Sequence, residues 1–301
     1  MEKLFTGIHS AIFSVYGEDM NVKRDAVGAL VEYQLKGGVS GFYVCGNTGE
    51  CTVLPAKTRK QMLETVVDAN AGRGKIMAHI GAGHFDESME LLAHANEQKI
   101  DAVASLPPSL SSYYGQQETL AYYRALAKES RYPVYAYITP VTLQHSDLYS
   151  FASALSEIDN VAGLKITIPD YFRFSLVNQI GGGRLNNLNG PDEMMLCGLS
   201  MGADGAIGTT YNMLPKVASG IYNSFVHGDM QGALAYQNKL NSFIKAVFEI
   251  VRGRGIAFWK ACMTVLGFDM GYSVFPSLPI SDADLQEIRA KMEEIGYFDM
   301  V

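Results

Sequence analysis

Short apolar segments alternate with amphipathic segments of helix length along the first two thirds of this 301-residue chain, and this alternation most constrains its fold. The apolar segments are TGIHSAIF (6–13), GFYVC (41–45), KIMAHI (75–80), DAVASL (101–106), PVYAYI (133–138), VAGLKI (161–166), RLNNLN (184–189) and DGAIG (204–208). Strands of a parallel sheet are apolar along most of their length because both faces of the sheet are covered. A succession of strand and helix units therefore predicts an α/β fold with a parallel sheet.

The number of units decides between two parallel-sheet architectures. RDAVGALVEYQLKGG (24–38) has apolar residues at helical spacing and ends in two glycines, and 58–72 and 86–98 repeat the pattern. An open doubly wound sheet is the alternative, but no GxGxxG segment follows the first predicted strand. Because the count reaches eight, the sequence favours a closed (β/α)8 barrel, the TIM barrel.

Strand signals cease beyond about residue 226. Three segments with helical periodicity follow, at 229–251, 255–267 and 281–296, and Ser281 is placed to cap the last of them. We therefore expect a catalytic barrel domain over residues 1–226 and a C-terminal three-helix domain over residues 227–301.

Charge and composition exclude several classes of partner. The formal net charge is −7, from 24 basic and 31 acidic side chains without a Lys/Arg block, so we expect neither nucleic acid nor an anionic membrane as a partner.

We find no secretory signal pattern and no run of about 18 apolar residues, and we expect a cytoplasmic protein. The four cysteines and six histidines lack metal-site spacings, so we expect reduced thiols and no metal. A small molecule is the expected partner.

Lys165 is the one charged residue in VAGLKITIP (161–169). A lysine inside a barrel strand has no solvent to reach, and burial disfavours its protonated form. A neutral amine attacks carbonyl groups. Lys165 is therefore a candidate Schiff-base nucleophile.

Other unusual residues follow the predicted strands at the end where barrel enzymes carry their chemistry. In GNTGE (46–50), the glycines around Asn47 and Thr48 let the backbone approach a ligand and offer N–H groups to an anion. In YAYITP, strand alternation puts Tyr135 and Tyr137 on one face. Alone, each reads as a polar loop or as packing; together with Lys165 they indicate a site.

Two further segments complete this set. NGPDE (189–193) carries Gly190, Asp192 and Glu193, which suit a helix start and could also face a polyol. GTTYN (208–212) supplies small hydroxyl-bearing residues, including Thr209. Their shared position at one end of the predicted barrel is the argument for function.

These segments together resemble the class I aldolases of the N-acetylneuraminate lyase and dihydrodipicolinate synthase superfamily, from GNTGE through YITP, GLK and NGPDE to GADGAIGTTYN and the helical tail. The resemblance implies a TIM barrel with a C-terminal helical domain, usually a homotetramer, that binds a 2-oxo acid as an imine without a cofactor. By position, Lys165 would form the imine, Tyr137 would shuttle the proton, and Asn47 and Thr48 would hold the carboxylate.

Particular positions place the chain closest to the N-acetylneuraminate lyase branch. The synthases typically carry an arginine two residues after the proline of the tyrosine strand, where this chain has Thr142. The lyases resemble it at a set of expected substrate-binding residues: Thr167, Gly190, Asp192, Glu193 and Thr209. The implied reaction is cleavage of a sialic acid to pyruvate and N-acetylmannosamine.

Two positions depart from the lyase pattern. Pro191 stands where many lyases have an aromatic residue, and Leu110 stands where a second tyrosine is common, with Tyr113 or Tyr114 as the nearest substitutes. Three alternatives therefore stay open: an aldolase for a shorter 2-keto-3-deoxy sugar acid, a dihydrodipicolinate-synthase-like enzyme, and a catalytically silent barrel that binds a 2-oxo acid.

Overall fold

A computed structural model describes residues 3–108, 114–143, 146–251 and 255–301. Eight parallel strands close into a barrel in chain order, β1 to β8. Their bounds are β1 Gly7–Ala11, β2 Gly41–Val44, β3 Lys75–His79, β4 Ala102–Ser105, β5 Val134–Ile138, β6 Val161–Ile166, β7 Asn186–Asn189 and β8 Gly205–Gly208. The predicted TIM barrel is confirmed, and each strand lies within a segment identified by its apolar pattern.

A helix follows each strand and covers the outside of the barrel. These helices are α1 Arg24–Lys36, α2 Ala56–Asn70, α3 Phe85–Ala95, α4 Gln116–Glu129, α5 Leu148–Ser156, α6 Tyr171–Val177, α7 Met195–Ser200 and α8 Pro215–Val226. Asp147 caps α5 by accepting the N–H groups of Tyr149 and Ser150. The parallel strand order puts all eight carboxyl-terminal strand ends on one face of the barrel, which is the face where this fold builds its sites.

Apolar and aromatic side chains fill the inside of the barrel. The interior cluster includes Phe5, Tyr43, Met77, Tyr135, Leu188 and Ile207, all at most 1% exposed. The hydroxyl of Tyr135 donates to Asn186 Oδ1 at 2.8 Å, which satisfies a polar group at this depth. The barrel is therefore a packed core rather than a channel, and its floor supports the residues at the carboxyl ends of the strands.

Beyond the barrel, the described residues form the helices α9 Met230–Val251, α10 Ile256–Val265 and α11 Asp282–Glu294. Ser281 caps α11 in a reciprocal capping box with Asp284, as its sequence predicts. We propose the turn between α8 and α9 as the boundary of the barrel (1–226) and helical (227–301) domains. None of the helices in the described ranges is long and apolar enough to cross a membrane.

Candidate active site

Lys165 lies near the end of β6 and is 5% exposed. Its Nζ is 4.4 Å from the ring centroid of Tyr43 and 4.3 Å from that of Tyr137. Tyr137 pairs with Lys165 in the parallel register of β5 and β6, so adjacent strands fix the two side chains side by side. The amine is thus held between two aromatic rings, in a position to meet a carbonyl entering at the mouth of the barrel.

Thr167 connects Tyr137 to the next strand end. Its hydroxyl donates to the Tyr137 hydroxyl at 3.4 Å, and its N–H donates to the Ile138 carbonyl at 2.8 Å. Gly190 lies against it, and a Cβ at Gly190 would be 2.0 Å from Thr167 Oγ1. Glycine at position 190 therefore gives the threonine hydroxyl the room it needs beside Tyr137.

The GNTGE loop after β2 forms a tight turn, and its backbone N–H groups bear on the carboxylate site expected there. The Glu50 N–H donates to the Asn47 carbonyl at 3.0 Å, and Glu50 has a left-handed φ of 61°. Within the described part of the chain, the N–H groups of Thr48 and Gly49 donate to no acceptor. Consecutive free N–H groups of this kind form a concave site for a carboxylate.

Two threonine hydroxyls join this loop to the last strand. Thr48 Oγ1 lies 2.6 Å from Thr209 Oγ1, just beyond β8. Thr48 is buried, whereas Asn47 is exposed and accepts from Cys51 Sγ at 3.3 Å. The structure therefore brings both predicted hydroxyl residues together at the barrel mouth, with the Asn47 side chain on the solvent side.

Asp192 lies buried beside the end of β8. Its Oδ2 accepts the N–H and the hydroxyl of Thr210, both at 2.7 Å. Burial raises the pKa of Asp192 to about 6; the two Thr210 hydrogen bonds oppose the rise, Glu193 adds to it, and the charge of Lys165 opposes it. Because Lys165 acts on this carboxyl, Asp192 belongs to the same end of the barrel as the lysine.

Glu193 takes a different position from its neighbour. It is exposed and lines a surface cavity with Asn241, Lys245 and Phe248 of α9. The two carboxylates, both expected to bind substrate, therefore separate, with Asp192 facing the barrel and Glu193 facing the helical domain.

A cavity of about 350 Å³ opens at the carboxyl ends of β2 to β5. Its wall includes Asn47, Cys51, Gly81, Leu106, Thr139 and Thr142. The Thr142 and Thr139 hydroxyls are 3.2 Å apart, so position 142, where the family resemblance predicts an arginine in a synthase, carries a small neutral side chain. A larger cavity of about 910 Å³ lies near Lys75 and Asp101, at the end where the strands begin. The smaller cavity is the one at the catalytic end of this fold.

The model of the dihydrodipicolinate synthetase family matches residues 4–295. The chain belongs to this family. It is 31% identical over 283 residues to the N-acetylneuraminate lyase of Rhizobium meliloti (strain 1021), covering 94% of this chain and 93% of that relative. It is 29% identical over 299 residues to the 4-hydroxy-tetrahydrodipicolinate synthase of Phenylobacterium zucineum (strain HLK1), covering 98% and 99%.

Solved structures agree with this membership. Proteus mirabilis N-acetylneuraminate lyase superimposes with a TM-score of 0.89 at 26% identity, over 98% of this chain and 100% of that chain. The predicted family, with N-acetylneuraminate lyases among its relatives, and the predicted enzyme class, a carbon–carbon lyase of the class I aldolases, are confirmed.

Tyr43 is a site residue that sequence reasoning missed. Its hydroxyl is buried without a partner in the described ranges, and burial raises the pKa of the phenol well above its usual value. A Cβ at Gly46 would lie 2.2 Å from Tyr43 Cε1, so the first glycine of the loop makes room for this ring. A tyrosine three residues before the first glycine of a strand-end loop is the signal that could have identified it.

The position that departs from the family pattern at Leu110 lies outside the described residues, as does Tyr113. Tyr114 is described, and it is 45% exposed. His79 is a hydrogen-bonded core residue: its Nε2 accepts the Leu106 N–H at 3.1 Å, and burial lowers the pKa of the imidazole well below its usual value.

Proposed function

We propose that this family member is an N-acetylneuraminate lyase, which cleaves a sialic acid to pyruvate and N-acetylmannosamine. The observation that carries the proposal is the amine of Lys165, buried between the rings of Tyr43 and Tyr137 at the mouth of the barrel. The chemistry of each step follows from what surrounds this nitrogen.

Imine formation starts the reaction. The Nζ of Lys165 attacks the C2 carbonyl of the substrate, and loss of water with uptake of one proton leaves a protonated imine at that nitrogen. The faces of Tyr43 and Tyr137 then flank a positive charge, a contact worth about 0.5–2 kcal/mol depending on desolvation. The imine is the electron sink that accepts the electron pair of the C3–C4 bond when that bond breaks.

Cleavage also moves one proton. The proton leaves the C4 hydroxyl as the C3–C4 bond breaks and is finally added at C3, and the Tyr137 hydroxyl is the group that transfers it. The hydrogen bond from Thr167 supports Tyr137 when negative charge develops on the phenol oxygen. Hydrolysis of the pyruvate imine then returns the Lys165 amine.

The remaining predicted residues hold the two ends of the substrate. The loop at Asn47 and Thr48 receives the carboxylate through its backbone N–H groups and the Thr48 hydroxyl. Thr167, Gly190, Asp192 and Thr209 line the side of the site that hydroxyls of the sugar chain would face, whereas Glu193, also predicted to bind substrate, lies on the surface against α9. Of these, Asp192 is the carboxylate at the barrel mouth, and above pH about 6 it is an ionised hydrogen-bond acceptor.

An aldolase for a shorter 2-keto-3-deoxy sugar acid is the second candidate. The position of Glu193 against α9 favours it, because only one of the two predicted carboxylates then faces a long hydroxyl chain. A dihydrodipicolinate-synthase-like function is disfavoured by Thr142, because a threonine cannot bind a second carboxylate through the two charge-assisted hydrogen bonds that an arginine makes. A silent 2-oxo-acid-binding barrel would hold pyruvate without turnover.

We further propose that the protein is a homotetramer in the cytoplasm, as the family resemblance implies. Size-exclusion chromatography with light scattering tests the subunit number, and a mass of one subunit would contradict it.

Pyruvate release from N-acetylneuraminate, followed with coupled lactate dehydrogenase, tests the function. 2-Keto-3-deoxygluconate is assayed in parallel, and the Lys165→Ala variant is the control for each substrate. We expect turnover of the nine-carbon sugar and none by the variant. Turnover of the shorter acid alone would favour the second candidate, and no turnover of either with covalent pyruvate capture would favour the silent barrel.

A further inference from the structure

We propose that Lys260 of α10 is a positioning residue, which holds the GNTGE loop in its anion-binding form through Glu50 and thereby sets the affinity for the substrate's carboxylate. The inference rests on the proposed function, because it assigns that loop to the carboxylate. It gives the C-terminal helical domain a part in substrate binding.

A buried ion pair joins the two domains. Lys260 Nζ lies 3.2 Å from Glu50 Oε2, and both side chains are 3% exposed. The two residues are 210 positions apart in the sequence, one in the loop after β2 and the other in α10. Since exposed ion pairs contribute little, the burial of this pair is what makes it relevant.

Every polar atom of the pair has a defined partner. The hydroxyl of Tyr16 donates to Glu50 Oε1 at 2.8 Å, and Lys260 Nζ donates to the Tyr272 carbonyl at 2.7 Å. Lys260 Nζ also lies 4.5 Å from the ring centroid of Tyr16. Burial lowers the pKa of Lys260, and the charge of Glu50 opposes that change. Both oxygens of the Glu50 carboxylate are therefore bound by buried groups, the Tyr16 hydroxyl and the Lys260 amine.

The segment that carries Tyr272 closes the cluster from the other side. Its N–H donates to the Tyr16 carbonyl at 2.7 Å, and the Val274 N–H donates to the Tyr16 hydroxyl at 3.3 Å. A Cβ at Gly271 would be 2.3 Å from the Tyr16 carbonyl oxygen, so the two backbones are in close contact. The helical domain thus meets the barrel loop through a packed and hydrogen-bonded junction.

Glu50 transmits this constraint because of its place in the loop. It follows Thr48 and Gly49, whose N–H groups donate to no acceptor among the described residues, and it adopts a left-handed φ that a non-glycine residue rarely takes. The Gly49 carbonyl accepts from Ser14 Oγ at 2.8 Å, which fixes one side of the turn. The ion pair between Glu50 and Lys260 fixes the other side of the turn. Loss of this ion pair would let the N–H groups of Thr48 and Gly49 turn away from the substrate's carboxylate.

Three variants separate positioning from folding: Lys260→Met, Glu50→Gln and the double variant. Removing one partner leaves a buried group without its counterpart, so the single variants are the less stable ones. The double variant removes both charges and recovers thermal stability. Lys291→Met is the matched control, because it breaks the pairs with Glu249 and Glu294 inside the helical domain and leaves the loop untouched.

The readout is the pyruvate concentration that gives half-maximal covalent capture with sodium borohydride, measured by intact mass, beside kcat and KM for the sugar acid. We expect Lys260→Met and the double variant to need about tenfold more pyruvate, with KM raised and kcat within about twofold, and the control to match the wild type. Recovery of wild-type capture together with stability in the double variant would overturn the inference, as would an equal change in the control. If the wild type captures no pyruvate, the proposed function fails, and this inference fails with it.

Discussion

Substitution of Asp192 by asparagine should stabilise the protein at neutral pH and lower its affinity for the sugar acid. The carboxyl is buried, and its pKa is raised from 3.8 to about 6. Asparagine has nearly the same shape, and its amide oxygen can still accept the N–H and the hydroxyl of Thr210. The substitution therefore removes the ionisation while leaving the local packing unchanged.

The sign of the effect follows from proton binding. Because the folded chain binds this proton more tightly than the unfolded chain does, the stabilisation is complete below pH about 4 and is lost as the pH rises through about 6. A rise of about 2 pH units, at 1.36 kcal/mol for each, corresponds to about 3 kcal/mol. Asp192→Asn should be more stable than the wild type by that order at pH 7 and equal to it near pH 4.

Urea denaturation between pH 4 and 7.5 measures this difference as the free energy of unfolding. Asp159→Asn makes the same charge change at an exposed position and is the control. Its free energy of unfolding should vary with pH as that of the wild type does. The same Asp192→Asn variant should show a higher KM for the sugar acid, since an ionised acceptor is lost. A variant that is less stable than the wild type at pH 7, or a difference that does not vary with pH, would refute the assignment of Asp192 as a destabilised buried carboxylate.

Three further predictions concern the predicted site. Tyr137→Phe should still capture pyruvate with borohydride but should lose about 10²- to 10⁴-fold in kcat, because only the proton transfer is removed; equal loss of capture would contradict this. Gly190→Ala should lower the free energy of unfolding by about 1–3 kcal/mol in urea, since its Cβ would meet Thr167 Oγ1 at 2.0 Å; an unchanged midpoint would be the opposing result. Thr48→Val should raise the pyruvate concentration for half-maximal capture by losing the 2.6 Å contact to Thr209, whereas unchanged capture would remove Thr48 from the carboxylate site.

The architecture was predictable because parallel strands impose a strong pattern on the chain. Lys165 was predictable for the same reason, since a single charge in an apolar strand has few structural explanations. Strand alternation put Tyr137 on one face with Tyr135, and the family resemblance, not the pattern, implied its role in proton transfer. The register of β5 with β6 places Tyr137 beside the lysine.

Features that depend on contacts between distant segments were not predictable. The ion pair between Glu50 and Lys260 joins residues 210 positions apart, and no local sequence pattern distinguishes Lys260 from the other residues of its helix. The separation of Asp192 from Glu193 was also hidden, because a short 3-10 turn at Asp192–Met194 turns one carboxylate inward and the next outward. Tyr43 was not singled out from the sequence, because the pattern of β2 alone does not show that this ring lies against the lysine amine.

Covalent capture at Lys165 tests the central claim most directly. The wild type is incubated with pyruvate and sodium borohydride, digested, and mapped by mass spectrometry, with Lys165→Ala treated in the same way. The account predicts a reduced pyruvate adduct on the peptide that contains Lys165 and no adduct in the variant. An adduct on another lysine, or full turnover by Lys165→Ala, would contradict it.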